Sequence, residues 1–174
     1  MKIRSNRAYL FFLSLLATAP PLSTVLYLPA IPDIARRRGV TESWVNLSLV
    51  LWFISYSVSL LIYGSLSDKY GRKPILLFGL VLFIVSSWFC ASAGNVEQLI
   101  LFRVFQGIGA ASPSSMCMAI CRDRFDGKQR QQILAYIGVI LAVVPMLSPM
   151  IGSVLLKLVS WRWIFLTQSV VALI

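Results

Sequence analysis

Few residues in this sequence could carry out covalent or acid–base chemistry. Its 174 residues include no histidine, and the three cysteines, Cys90, Cys117 and Cys121, form no CxxC pair, so neither a zinc framework nor a disulfide scaffold is indicated. Asp68 and Asp123 are the carboxylates placed to meet near one face. Without histidine, an acid–base site at neutral pH would need a tuned carboxylate or lysine. We therefore expect no enzymatic activity, no bound metal and no cofactor.

Arg103 and Gln106 form an unusual polar pair, because they lie one helical turn apart inside a long apolar stretch at 98–120. A charge in such a stretch is costly, so Arg103 should face a polar partner or a wet cavity. The alternative is snorkelling. Arg103 stands about five residues, or about 8 Å, inside the stretch, within reach of a long side chain. We favour a position at a cavity.

A second polar group lies in the segment 64–74, which reads GSLSDKYGRKP. Its distinctive positions are Gly64, Asp68, Gly71, Arg72 and Lys73. Gly64 would allow close helix approach, and Gly71 can adopt the positive φ of a tight reversal. Asp68 can cap a helix N-terminus, and the basic pair can bind Asp68 or Asp123. A basic turn that only sets topology is the plain alternative, but the pattern is more specific than topology requires.

The elements that must position these residues are membrane-spanning helices. Apolar residues make up 58% of the chain and charged residues 13%, a balance that a soluble domain of this size could not bury. A helix crosses a bilayer with about 20 apolar residues. Six apolar segments are found, at 8–31, 45–66, 75–93, 98–120, 133–158 and 163–174, of which the last is only about half a span long where the sequence stops. The fold class predicted is all-α membrane protein, one domain over 1–174 forming a six-helix bundle with its sixth helix truncated.

The net charge of +10 is distributed as expected for a membrane protein. With a cytoplasmic N-terminus, ten lysines and arginines fall inside and five outside, as the positive-inside rule requires. The run at 36–38 opposes this orientation. Because the basic residues lie at span ends and not along one solvated face, we expect no nucleic-acid partner.

The first segment has a second interpretation as a secretory signal. Three basic residues precede an apolar stretch, and an A-x-A site follows at 17–19. Pro20 and Pro21 come directly after that site, and the apolar run continues to Ile31. We favour a retained helix that is kinked at the two prolines.

Several motifs together resemble the major facilitator superfamily. The segment 64–74 resembles its signature between the second and third helices, and L-x-R-x-x-Q-G-x-G at 101–109 resembles its fourth-helix motif. The sequences LYLPAIP at 26–32 and PMLSPMIG at 145–152 resemble the drug-resistance branch typified by bicyclomycin-resistance proteins. The resemblance covers nearly the whole chain. It implies the N-terminal half of a transporter built from two six-helix bundles.

The resemblance also implies roles for particular residues. The segment 64–74 would latch the cytoplasmic side, and Arg103 and Gln106 would face the central cavity and couple proton movement to transport. Pro145, Pro149 and Gly152 would supply the kink and close packing of an antiporter motif, although serine replaces both outer glycines of that motif.

One departure concerns the proton-coupling acid. The drug-resistance branch usually has an acidic residue two positions before the tyrosine of the Tyr-Leu-Pro sequence, where this chain has Val25. Asp33 is the nearest acid, about eight residues or some 12 Å further along. The coupling role would then fall to Asp33, lie in the absent half, or be missing.

The resemblance therefore predicts a multi-pass carrier of a bacterial inner membrane that exports drugs and other amphipathic, often cationic, compounds by proton antiport. Its partners would be the lipid bilayer, protons, small substrates, and a missing C-terminal half or a second copy. Two alternatives stay open. The chain could be an inactive truncated remnant of such a transporter, or a carrier of another small solute.

Overall fold

The computed structural model describes residues 7–158 and 160–173, and every regular element among them is helical. The elements in chain order are α1 (Arg7–Val25), a 3₁₀ turn (Leu28–Ala30), α2 (Ile31–Arg38), α3 (Glu42–Tyr70), α4 (Arg72–Ser92), α5 (Val96–Arg124), α6 (Gly127–Leu158) and α7 (Arg162–Leu173). Five segments are long and apolar enough to cross a membrane: Leu13–Arg38, Glu42–Tyr70, Arg72–Ser92, Val96–Arg124 and Gly127–Val154. The all-α fold class is confirmed.

α3 and α5 extend beyond the predicted apolar spans because polar caps and charged turns continue them. Thr41 accepts a hydrogen bond from the backbone N–H of Trp44 at 3.4 Å at the start of α3, and Asn95 accepts one from that of Gln98 at 2.8 Å at the start of α5. Gly39 ends α2 in the left-handed conformation, with φ 64°. The connections between helices are therefore shorter than the apolar pattern predicts.

The helix of the first segment ends soon after the two prolines at which the sequence predicts a kink. α1 runs through Pro20 and Pro21 and ends at Val25. Prolines then occupy the first turns of the 3₁₀ turn and of α2, positions where the missing N–H costs least. The chain breaks after Val25 because Pro29 and Pro32 cannot donate the hydrogen bonds that would continue α1.

α5 lies at the centre and packs mainly against α3 and α4, while α1 packs against α5, α6 and α7. Small residues allow this close approach. A Cβ atom built on Gly109 would lie 2.5 Å from the backbone nitrogen of Phe83 on α4. Two apolar clusters fill the ends of the bundle, one around Tyr27, Ile34 and Phe165 and the other around Leu13, Met116 and Ile133.

The outward surface is strongly apolar. Leu61 on α3 is 79% exposed and Met146 on α6 is 80% exposed. α3 and α6 are the least buried of the candidate spans. Such faces suit lipid or another apolar protein surface but not water.

Candidate functional site

Arg103 is fully buried, with 0% exposure, and hydrogen bonds join it to neighbouring polar side chains inside the bundle. This position rules out the snorkelling alternative, because a snorkelling arginine keeps its head group in water. α5 carries Arg103 and Gln106 on one face, and α1, α4 and α7 bring polar groups to them. We name this cluster the Arg103 junction; its members are Ser23, Ser87, Arg103, Gln106 and Gln168.

A chain of hydrogen bonds joins the Arg103 junction. Nη1 of Arg103 donates to Oε1 of Gln106 at 2.8 Å, to the carbonyl of Ser23 at 3.2 Å and to its hydroxyl at 3.3 Å. Nε2 of Gln106 donates to the Ser87 hydroxyl at 2.7 Å and to Oε1 of Gln168 at 2.9 Å. One buried network therefore joins four helices. Each hydrogen bond in it avoids the free-energy cost of burying an unpaired polar group in apolar surroundings.

Aromatic rings cover the rest of the guanidinium group. Cζ of Arg103 lies 3.9 Å from the ring centroid of Tyr27 and 5.4 Å from that of Phe165, both within cation–π range. In the described part of the chain, no carboxylate lies within ion-pair distance of Arg103. Asp33 instead pairs with Arg37 on α2, at 2.9 Å between Oδ2 and Nε. The described structure brings Arg103 and Gln106 together but leaves Asp33 apart from them.

Sequence reasoning missed Ser87, Gln168 and the contact with Tyr27. Gln168 was visible as a lone amide within the apolar stretch at 163–174, the same signal that identified Gln106. Ser87 follows Ser86 in the third apolar segment, where small hydroxyl residues are a common sign of helix contact.

The segment 64–74 forms a tight turn between α3 and α4. Gly71 has φ 90°, as its predicted role in the reversal requires. Nη2 of Arg72 lies 2.7 Å from Oδ1 of Asp68, and its Nε lies 3.0 Å from Oδ2 of Asp123 on α5. Arg72 also donates to the Ser67 hydroxyl. Arg72 thus links the end of α3 to the end of α5, as expected from the sequence.

Two details of that turn differ from expectation. Asp68 does not cap α4, whose N-terminus has no side-chain cap; its carboxylate binds Arg72 instead. A Cβ atom on Gly64 would meet nothing within 4 Å, so Gly64 makes no close helix contact in the described structure. Lys73 is exposed.

α6 runs without interruption through Pro145 and Pro149. Gly152 lies where α6 crosses the break after α1: a Cβ atom on it would be 3.0 Å from the carbonyl oxygen of Leu26 and 3.0 Å from Cγ of Pro29. Within this motif Gly152 therefore provides a close approach between helices, because a side chain would be crowded there.

A groove of about 590 Å³ opens between α1, α3, α5 and α6. Its walls are apolar with a few hydroxyl groups, and include Pro20, Tyr56, Ser114, Ser115, Met118 and Leu141. A concave, mostly apolar site with a few polar groups is typical of small-molecule binding. Arg103 and Gln106 were expected to face a cavity, but they do not line this groove, because Ser23, Ser87 and Gln168 draw them into the bundle.

Comparisons with known proteins agree with this architecture. The chain matches a solved bacterial homologue of the human lysosomal transporter Spinster, in an inward-facing and occupied conformation, with a TM-score of 0.80 at 16% identity. The match covers 99% of this chain and 44% of that one, and it shows the fold.

Curated relatives include transport proteins of three bacteria. Multidrug resistance protein MdtL of Shewanella sp. (strain ANA-3) is 31% identical over 88% of this chain and 39% of its own length. The uncharacterized MFS-type transporter YdgK of Bacillus subtilis is 37% identical over 93% and 41%, and multidrug resistance protein D of Escherichia coli is 30% identical over 95% and 42%. The chain therefore spans about 40% of the length of these relatives. The profile of the Major Facilitator Superfamily matches residues 10–174, so this multi-pass membrane chain belongs to that transporter family.

Proposed function

We propose that this chain supplies half of the substrate pathway of a drug-efflux carrier that works by proton antiport. The groove between α1, α3, α5 and α6 carries the proposal, because it is large enough for a small amphipathic molecule and opens between the two least buried helices. Relatives named for multidrug resistance support this substrate class. None of the described residues that line the groove carries a charged side chain, so apolar contact and hydroxyl groups would select its substrate.

A second bundle would close the groove, contributed either by a longer chain or by a second copy. Leu61 on α3 and Met146 on α6 are exposed, and all three native cysteines are buried. A single cysteine at either position can therefore be crosslinked in membranes with little background. Crosslinks between copies through both positions would identify a second copy as the partner. Monomer alone at both positions would exclude it.

Drug accumulation in cells that lack their own efflux pumps tests transport. Cells expressing the chain should accumulate less ethidium than cells with empty vector, and dissipating the proton gradient should remove the difference. Gly138→Trp should abolish export by filling the groove, since Gly138 lines the groove and its Cβ position is open. Tyr136→Trp is the matched control, because Tyr136 is exposed on α6 and is not among the groove-lining residues.

Accumulation equal to that of empty vector, in membranes shown to contain the folded chain, would reject export by this chain on its own and favour the inactive alternative. Export without dependence on the proton gradient would reject antiport only. Export of a different solute class, with ethidium excluded, would favour the alternative of another small-solute carrier.

We further propose a cytoplasmic N-terminus in a bacterial inner membrane. Arg36 on α2 and Lys73 on α4 are both exposed, and the charge count places them on opposite sides. A membrane-impermeant maleimide should label Arg36→Cys in intact spheroplasts and Lys73→Cys only after lysis. The reverse pattern would invert the orientation.

A further inference from the structure

We infer that the aromatic face of Tyr27 is the counter-group of the buried Arg103 charge, which has no carboxylate partner in the described part of the chain. Tyr27 is then a positioning residue that holds Arg103 in the junction. The consequence for transport rests on the proposed function. The contact itself can be tested without it.

The first observation is that most of the guanidinium group has no hydrogen-bond acceptor. Of its three nitrogens, Nη1 makes the bonds to Ser23 and Gln106. Among the described residues, Nε and Nη2 have no hydrogen-bond partner although they are buried. A charge left in this state would be strongly unfavourable, so another group must stabilise it.

The ring of Tyr27 is the group placed to do so. Cζ of Arg103 lies 3.9 Å from the ring centroid, and both side chains have 0% exposure. The negative potential of a ring face attracts a guanidinium group more strongly when water is excluded. Phe165 contributes a second, more distant face at 5.4 Å.

The Tyr27 ring is fixed by contacts that leave its face free for Arg103. The Tyr27 hydroxyl and the Ser48 hydroxyl on α3 are 2.8 Å apart and hydrogen-bonded, and Ser48 donates to the carbonyl of Val45 at 2.6 Å. Because Ser48 uses its hydrogen for Val45, Tyr27 donates to Ser48. The edge of the ring is thereby bonded to α3 while its face covers Arg103.

The arrangement explains how an intramembrane arginine is tolerated with valine at position 25. The positive charge of Arg103 faces the negative side of the quadrupole of a neutral ring, and Arg103 donates its hydrogen bonds to neutral oxygen atoms. Arg103 can therefore hold the polar side chains of four helices without an acidic residue beside it. Loss of the ring should leave the charge uncompensated and displace Gln106, which shares the network.

The test varies the charge of the ring face at almost constant size. Phenylalanine, 3,5-difluorophenylalanine and 3,4,5-trifluorophenylalanine are placed at position 27 of the 174-residue chain, and the Tm of the purified protein in detergent is measured. Fluorination weakens the ring face, so we expect Tm to fall stepwise by about 2–4 °C across the series. The same series at Phe83, which is 2% exposed, is the control and should show no such trend.

Two further variants separate electrostatics from packing. Tyr27→Phe keeps the ring face and should lose less stability than Tyr27→Leu, which removes it. In an Arg103→Gln background the fluorination trend at position 27 should vanish. A flat Tm series at position 27, or a slope equal to that at Phe83, would overturn the inference even if Arg103→Gln failed to fold.

Transport gives a separate readout. If the chain exports drugs, Tyr27→Leu should reduce export at equal membrane content, while Tyr27→Phe should retain most of it. A graded Tm series with no export by any variant would reject the proposed function and leave the ring contact standing. Export by the unmodified chain together with a flat Tm series would reject the ring contact and leave the proposed function standing.

Discussion

Gly107 on α5 lies directly against the backbone of Trp52 on α3, so closely that a Cβ atom on Gly107 would be 2.6 Å from the Trp52 carbonyl oxygen. This contact sets the distance between the two helices. Backbone atoms cannot move aside as a flexible side chain can, so any larger residue must push α3 and α5 apart.

Gly107→Ala should therefore destabilise the bundle by about 1–3 kcal/mol, the usual effect of overpacking, measured as a lowered Tm in detergent. Gly138→Ala on α6 is the matched control, because a Cβ atom there meets nothing within 4 Å. The close α3–α5 contact would be disproved if both variants melted at the same temperature.

Replacing Gln168 with leucine should destabilise the Arg103 junction. Gln168 accepts from Gln106 at 2.9 Å and also donates toward the Ser23 carbonyl at 3.4 Å. Removing it leaves buried polar groups unpaired, at a cost of about 1–3 kcal/mol. Thr167→Val, one residue earlier on α7, removes only a hydrogen bond within its own helix and should shift Tm less; the opposite ranking would argue against the network.

The pair of Arg72 and Asp123 should show measurable coupling in a double-mutant cycle. Their atoms are 3.0 Å apart, and both side chains are partly exposed, so a coupling of about 0.2–1 kcal/mol is expected for Arg72→Gln with Asp123→Asn. High salt should weaken it. The comparison cycle uses Arg122, whose Nε is 3.8 Å from the same carboxylate. Equal coupling in both cycles would contradict a specific link between Arg72 on α4 and Asp123 on α5.

Arg38 should anchor α2 to the turn between α4 and α5. Nη2 of Arg38 donates to the carbonyl of Ala93 at 2.9 Å, and Nη1 donates to that of Gly94. In Arg38→Ala the amides of α2 should exchange faster with deuterium, as measured by mass spectrometry. Arg36→Ala, at an exposed position on the same helix, should leave exchange unchanged. Similar exchange in both variants would mean that Arg38 does not hold α2.

This use of Arg38 also accounts for the one group of charges that opposed the positive-inside rule. Arg38 satisfies carbonyl oxygens at the end of α4, and Arg37 pairs with Asp33. Two of the three arginines in that run therefore have structural partners within the fold, which a count of loop charges does not register.

The local features were predictable from the sequence, and the distant ones were not. Asp68, Gly71 and Arg72 lie within a few residues of each other, so residue type and spacing were enough to predict the turn and the ion pair of Arg72 with Asp68. The members of the Arg103 junction come from four helices, with Ser23 and Arg103 80 residues apart. Spacing along one helix could identify Arg103 and Gln106 but could not show which other helices supply their partners.

The ends of the helices differ from the ends of the predicted spans for a related reason. The limits of an apolar run indicate which residues contact lipid. The limits of a helix lie instead at caps such as Thr41, and a helix can continue into charged residues beyond the apolar run. The helix of the first segment continues through Pro20 and Pro21 and is interrupted between Val25 and Leu28, just before Pro29 and Pro32.

The placement of α1 has a consequence for biosynthesis. α1 leaves the ribosome before the other helices of the bundle, yet Ser23 contacts Gln168, which is translated 145 residues later. Until α7 enters the bilayer, α1 lies in the membrane without Gln168, and the Arg103 junction is incomplete. The hydroxyls of Thr18 and Thr24 already bond to carbonyls of their own helix, so the waiting segment hides most of its polarity. The contact between the first and the last helix of the bundle therefore forms at the end of assembly. A chaperone or protease of the membrane would have the longest time to act on α1.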